Sequence, residues 1–243
     1  EGRRWQVNGQ KIWTSLATFA HWAFVVCRTE EGTKGHKGLS YLLVPTRQAG
    51  VTIRPIRQMN GEAEFNETFF NDALTPEENI VGAPGEGWKV AMGTLAFERG
   101  VSTLAQQMAF RNELDRLVAV AKENGAAADP GLRVRLAEAY SGLRIMRYSA
   151  LRMLSNADSG ELSGAAYTYK IHWASWRKKL GELVMDVLGP EGEIARGAPY
   201  EWPELQGVFF SSRSDTIYGG TNQVQRNLIA ERALGLPREP RGA

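Results

Sequence analysis

Cysteine is almost missing from this chain: Cys27 is the only one in 243 residues. An internal disulfide is therefore excluded, as is a zinc site built on several cysteines. A reducing compartment, the cytoplasm, is expected. Histidine is nearly as sparse. His21, His36 and His172 stand far apart, with no acidic partner at metal spacing, so no metal site is expected. An excess of one charge is also lacking: 29 Lys and Arg against 27 Asp and Glu leave a formal net charge of +2. The basic residues are scattered, and nothing calls for nucleic acid as a partner. No apolar run is long enough to cross a bilayer, and no stretch reads as a signal peptide. The chain opens at Glu1, in what reads as a strand, and is expected to be a piece of a longer protein.

What is present changes character once. Residues 1–83 read as β structure. Arg4-Trp5-Gln6-Val7 leads into Asn8-Gly9, a hairpin turn signal, and then Gln10-Lys11-Ile12-Trp13-Thr14-Ser15. The continuous apolar content of residues 22–28 predicts a largely buried strand, and the polar, Gly-rich run from Thr29 to Gly38 a surface loop. Further strands are expected at 39–44, 51–56 and 67–71. Short strands between turn signals predict a barrel or sandwich.

Beyond Gly82-Ala83-Pro84-Gly85-Glu86-Gly87 the apolar period becomes helical. Val90, Thr94, Phe97, Val101, Leu104 and Met108 form one stripe. A second helix is expected through the 110s to Asn124-Gly125, and a third from Asp129-Pro130 to about Asn156. A fourth runs from Ser163 to Leu188 and stops at Gly189-Pro190. An irregular loop from Glu191 to Pro203 follows, then a helix from Phe209, broken at Gly219-Gly220 and resuming to Leu234. The expected class is α+β: a β domain at 1–83 and a helical-bundle domain at 84–243.

The turn Tyr218-Gly219-Gly220-Thr221 is the most informative stretch. Paired glycines let backbone approach a ligand closely, and the N–H groups of the following helix start favour a phosphate or carboxylate. Thr221 suits an N-cap. Glu98, in Leu95-Ala96-Phe97-Glu98-Arg99, lies about 80° from the centre of the apolar stripe. Its neighbours there, Ala91, Ser102 and Ala105, leave room for a substrate carbon. The same position suits a solvated boundary residue, or a local partner of Lys89 or Arg99. Arg99 points away from the stripe and suits anchoring of backbone or a carboxylate. Taken alone, Trp13 reads as a core tryptophan and Ser15 as a strand-end serine. Tyr167, Tyr169, Trp173 and Trp176 suit bundle core or subunit packing. A face carrying the two tryptophans in water would call for a partner.

Three landmarks fall in order: Asn8 to Ser15, Glu77-Glu78-Asn79-Ile80-Val81-Gly82, and the Gly-Gly-Thr turn. Together they resemble the acyl-CoA dehydrogenase family over nearly the whole chain. That family's N-terminal helical domain, which supplies part of the acyl-CoA pocket, has no counterpart here. The resemblance implies FAD as cofactor, an acyl-CoA substrate, and an electron-transfer flavoprotein or similar acceptor. It also implies a homotetramer or heterotetramer. The reaction implied is α,β-dehydrogenation to the trans-2-enoyl-CoA: a general base takes the α-proton and the β-hydrogen leaves as hydride to flavin N5.

The family turn usually reads Tyr-Glu-Gly-Thr, its Glu being the base, and Gly219 stands at that position. The isovaleryl-CoA and long-chain branches place the base on the earlier helix, before Arg, which implies Glu98 as catalytic residue. Trp13 and Ser15 then flank the isoalloxazine, and Gly220, Thr221 and Gln223 contact FAD. Arg99, Tyr218 and Gly219 lie on the substrate side, the Gly219 N–H being available to the thioester oxygen. Asp186 to Gly192 departs from the Gln and paired Gly with which the family holds a neighbour subunit's FAD, and the Arg-x-x-Phe-Gly run expected between the first two helices is missing. An acyl-CoA oxidase stays open. So does a non-catalytic or half-site subunit, because bacterial relatives acting on sterol side chains or rings are heteromers with incomplete sites.

Overall fold

The computed structural model describes residues 3–155, 164–194 and 204–238, apart from the side chains of residues 96–104. The chain divides into two units, Glu1–Glu98 and Arg99–Ala243.

The first unit holds five strands: β1 (Arg4–Ser15), β2 (Trp22–Arg28), β3 (Leu39–Pro45), β4 (Val51–Ile56) and β5 (Phe65–Pro76). They form two antiparallel sheets, β1-β5-β4 and β2-β3. Alternate apolar residues from both sheets, Val7, Val25, Leu42, Val44, Phe70 and Ala73, make one core, as expected where each sheet buries one face. Thr75 Oγ1 donates to Leu43 O across the sheets at 2.6 Å.

Two strand readings need correction. Asn8-Gly9 is no hairpin, because β1 runs through it. The Asn8 amide binds across to β5, donating to Asp72 Oδ1 at 2.9 Å and accepting from Asp72 N at 2.8 Å. Val7 pairs with Ala73 and Gly9 with Phe70, so the extra residue is on β5, where Asp72 takes φ 56°. The signal marked a bulge rather than a reversal. Nor is β2 largely buried. Its apolar content is continuous, but Trp22 and Phe24 face outward and only Val25 is fully enclosed.

Helices follow: α1 (Gly87–Glu123), α2 (Pro130–Ser155), α3 (Gly164–Leu188), α4 (Glu204–Asp215) and α5 (Asn222–Leu228), the last running into a π turn, Ile229–Ala233. The two helices expected between Gly87 and Asn124 are one. Between Gly100 and Gly125 no glycine or proline interrupts the run, so nothing stops the helix until Gly125 takes φ 83°. The expected stripe does not extend to Met108 as the buried face of α1, and the side chains of its members Phe97, Val101 and Leu104 lie outside the described residues. Met108 is 71% exposed, and Gln107, Phe110, Leu114, Leu117 and Ala121, at steps of three and four, point inward. α4 begins five residues before Phe209.

The second unit's core joins Phe110, Leu114 and Leu117 to Leu143 and Met146 of α2, Trp173 and Trp176 of α3, and Leu205 and Val208 of α4. Trp173 and Trp176 are 6% and 8% exposed. They fill the bundle, so their face calls for no partner in water. Trp176 Nε1 donates to Ala139 O at 2.8 Å, which satisfies the indole inside the core. Among the described residues no helix is long and apolar enough to cross a membrane, and no group of three His, Cys, Asp or Glu could hold a metal ion.

Candidate functional site

At the end of β1, Lys11 pairs with Thr68 and Thr14 with Asn66, so Ile12-Trp13 contains one extra residue. This second bulge puts Trp13 at φ 64°, a left-handed conformation costing a non-glycine residue on the order of 1–3 kcal/mol. Asn66 Nδ2 holds the bulge by donating to Thr14 O at 3.0 Å. The result is an indole 61% exposed, set edge-on to Phe65 at 6.2 Å. Trp13 is therefore not the core tryptophan of the plain reading. Ser15 follows two residues on, also exposed. An outward ring face and a nearby hydroxyl can cover a planar group and donate to it.

In the second unit α4 ends at Asp215 and the chain turns back into α5. Gly219 and Gly220 take φ 61° and 93°. A side chain at Gly220 would lie 2.6 Å from Gln225 Nε2, which donates to Gly219 O at 3.1 Å. Thr221 caps α5, its Oγ1 accepting from Val224 N at 3.2 Å. The peptide N–H groups of Gly219 and Gly220 have no partner among the described residues. They can serve a carbonyl or phosphate oxygen. Thr221 and Gln223 border an open cleft of about 480 Å³ whose walls carry Lys178, Lys179 and Arg226 against Glu182. Its positive balance suits a phosphate-bearing ligand.

A buried ionic network underlies the turn. Arg177 donates to Glu113 Oε1 at 2.7 Å and to Asp215 Oδ2 at 3.1 Å, and to Ser211 Oγ at 3.1 Å. Burial pulls the Arg177 pKa down, but the hydrogen bonds and charges of Glu113 and Asp215 outweigh it and hold the guanidinium charged. Asp215 is 1% exposed. Burial raises its pKa, against the pull of Arg177, a hydrogen bond from the Tyr218 hydroxyl, and Lys170. The asymmetry is physical: Arg177 has two carboxylates, whereas Asp215 has a share of one guanidinium. Lys170 Nζ donates to Asp215 O at 2.5 Å.

The turn thus brings Tyr218, Gly219, Gly220, Thr221 and Gln223 together, while Trp13 and Ser15 stand on β1 of the first unit. Glu98 and Arg99 lie within α1, and their side chains are outside the described residues. Four contributors escaped the sequence reading: Lys170, Arg177, Asp215 and Gln225. One signal was present. Lys170 is a cation inside an aromatic helix segment, three residues before Trp173 and so on its face.

Each unit carries groups of a kind that a flavin bearing phosphates needs: an outward indole and a hydroxyl in the first, and in the second a cationic cleft and glycine N–H groups without a partner among the described residues. A two-sheet β unit followed by a helical bundle with a glycine turn is compatible with a flavin-dependent oxidoreductase. The acyl-CoA dehydrogenase middle domain matches residues 1–73 and the C-terminal domain residues 85–234. The chain belongs to the acyl-CoA dehydrogenase family, whose members are FAD-containing oxidoreductases.

Acyl-CoA dehydrogenase IpdE1 of Mycobacterium tuberculosis is 53% identical over 242 residues, covering 100% of this chain and 62% of that protein. Among solved structures, the steroid ACAD Tcur3481-Tcur3483 matches with a TM-score of 0.87 and 28% identity, over 98% of this chain and 62% of that one. The ChsE4-ChsE5 complex from Mycobacterium tuberculosis matches with a TM-score of 0.82 and 28% identity, over 99% of this chain and 64% of that one. The chain therefore spans about three fifths of the length of these three relatives.

Proposed function

We propose that this chain carries the flavin and thioester machinery of an acyl-CoA dehydrogenase that desaturates the Cα–Cβ bond to the trans-2-enoyl-CoA. The carrying observation is the turn. At Gly219 the side chain is absent and the backbone N–H has no partner among the described residues, so the turn offers a donor rather than a base. The base is then Glu98 on α1, which takes the α-proton onto its carboxylate. The Gly219 N–H donates to the thioester oxygen and stabilises charge as that proton leaves. Tyr218 and Arg99 orient the thioester. Bound FAD supplies the two-electron acceptor for the β-hydrogen. Trp13 covers its ring and Ser15 donates to a ring nitrogen, while Gly220, Thr221 and Gln223 hold the dinucleotide.

In this reading residues 1–83 bring the flavin strand and 84–243 the base, the turn and the assembly surfaces. An electron-transfer flavoprotein or similar carrier removes the electrons, and the lone Cys27 supports a cytoplasmic setting. The likeness to the steroid ACAD Tcur3481-Tcur3483 supports a steroid-derived acyl group.

The test is Glu98→Gln in the full-length protein, which keeps shape and removes basicity. FAD stays bound, and anaerobic bleaching of the flavin by acyl-CoA thioesters, a steroid-derived one included, is abolished. A variant that bleaches at the wild-type rate sinks the assignment. A second reading, one half of a heterotetramer rather than a homotetramer, is supported by the likeness to ChsE4-ChsE5, a complex of two chains. Flavin content of the protein produced alone and with candidate partner chains separates the two.

A further inference from the structure

Gly219 leaves a space, and one side chain borders it. A Cβ built on Gly219 would meet a single atom within 4 Å among the described residues: Lys170 Cε, at 3.8 Å. The Lys170 ammonium is held on an aromatic platform, 5.3 Å from the Trp173 ring centre and 5.7 Å from that of Tyr218. Its one hydrogen bond among the described residues goes to Asp215 O. An ammonium has three donors, so two have no partner among the described residues. Half-burial already costs this cation, because loss of water lowers its pKa although Asp215 pulls it back up.

A hydrocarbon packed against this ammonium would remove its remaining water and return nothing, whereas an oxygen acceptor would replace that water. We propose that Lys170 is a specificity-determining residue, selecting acyl groups that carry a hydrogen-bond-accepting oxygen over all-hydrocarbon acyl groups of the same length. The inference rests on the reading above, in which the space at Gly219 faces the acyl thioester. The selection works mainly by rejection: a site built around a donor discriminates against a substrate that leaves it unpaired. Asp215 and the Arg177 network act as positioning groups, because they fix the carbonyl that anchors Nζ.

The experiment compares hexanoyl-CoA, a keto-hexanoyl-CoA and adipoyl-CoA on the full-length protein, by equilibrium binding and by kcat/KM for flavin reduction. Wild type prefers the oxygenated thioesters by about ten- to a hundredfold, and Lys170→Met collapses that preference by raising affinity for hexanoyl-CoA. Lys170→Gln, a neutral donor that carries the test if the Met variant does not fold, keeps the keto preference and loses the adipoyl one. A wild type with no preference for oxygen overturns the inference, as does a Met variant that retains the whole preference. Failure of every thioester to bind or reduce the flavin strikes the proposed function instead, so the two failures are distinguishable.

Discussion

Among the described residues, the two units place their tryptophans in opposite ways. In the first, Trp13, Phe19, Trp22 and Phe24 face outward, and in the second Tyr169, Trp173 and Trp176 are enclosed. A strand in a two-sheet unit has two faces and only one core, so an apolar residue on the wrong parity is left outside. α3 lies between α2 and α4 and finds partners on several sides. Outward aromatics are available to a planar ligand, whereas inward ones hold the bundle and are not. Two ion pairs show a similar contrast. The Arg3–Glu77 pair of the first unit spans 3.9 Å in full view of solvent. In the second, Arg177 is enclosed with two carboxylates.

The largest expected effect would break the buried half of that contrast. Arg177→Met leaves Glu113 and Asp215 enclosed without their cation. Removing one partner of a buried pair costs about 3–5 kcal/mol, read as a lower denaturant midpoint at unchanged slope. The equivalent Arg3→Met change is expected to move stability by less than about 1 kcal/mol. Equal losses for the two variants would remove the distinction.

The aromatic contrast is sharpened by a matched pair. Trp176→Ala opens a cavity in the bundle and removes the indole donor to Ala139 O, costing about 3–5 kcal/mol. Trp13→Ala opens no cavity in the core and costs less than about 1 kcal/mol, but lowers the FAD content of the full-length protein. Denaturant melts and flavin absorbance of the two variants are the measurements. A Trp13 variant that loses stability like the Trp176 variant would return Trp13 to a core role.

Much of the fold was legible because its signals are local. The strands at 22–28 and 51–56 coincide with β2 and β4, and Gly125 and Gly189-Pro190 stop α1 and α3 where their chemistry requires. The misses share a cause, which is that a local signal was answered by a distant residue. Asn8-Gly9 carries turn chemistry, but Asp72 on β5 captures the Asn8 amide and the strand continues. Met108 fits a helical stripe, yet the partners from α3 meet the neighbouring face of α1. In the candidate site the glycine turn was readable from sequence, because two adjacent left-handed residues require glycine. What supports it was not: Asp215, Arg177 and Lys170 meet across 38 and 45 residues of chain, and no spacing rule joins them.

The smallest expected effect concerns Asp215 and pH. Burial raises its folded pKa above the ordinary 3.8. The folded state therefore holds the Asp215 proton more tightly than the unfolded chain does. Its contribution to stability is complete below the unfolded value and is lost as pH rises through the folded one. Asp215→Asn removes that titration while keeping a side chain able to meet Arg177 and Tyr218. Relative to the variant, wild type is thus expected to lose stability as pH climbs above 3.8, by less than either change above. Denaturant melts of both proteins across the acidic range test the sign directly. A wild-type advantage that grows with pH in that window would mean that Arg177 prevails over burial at Asp215.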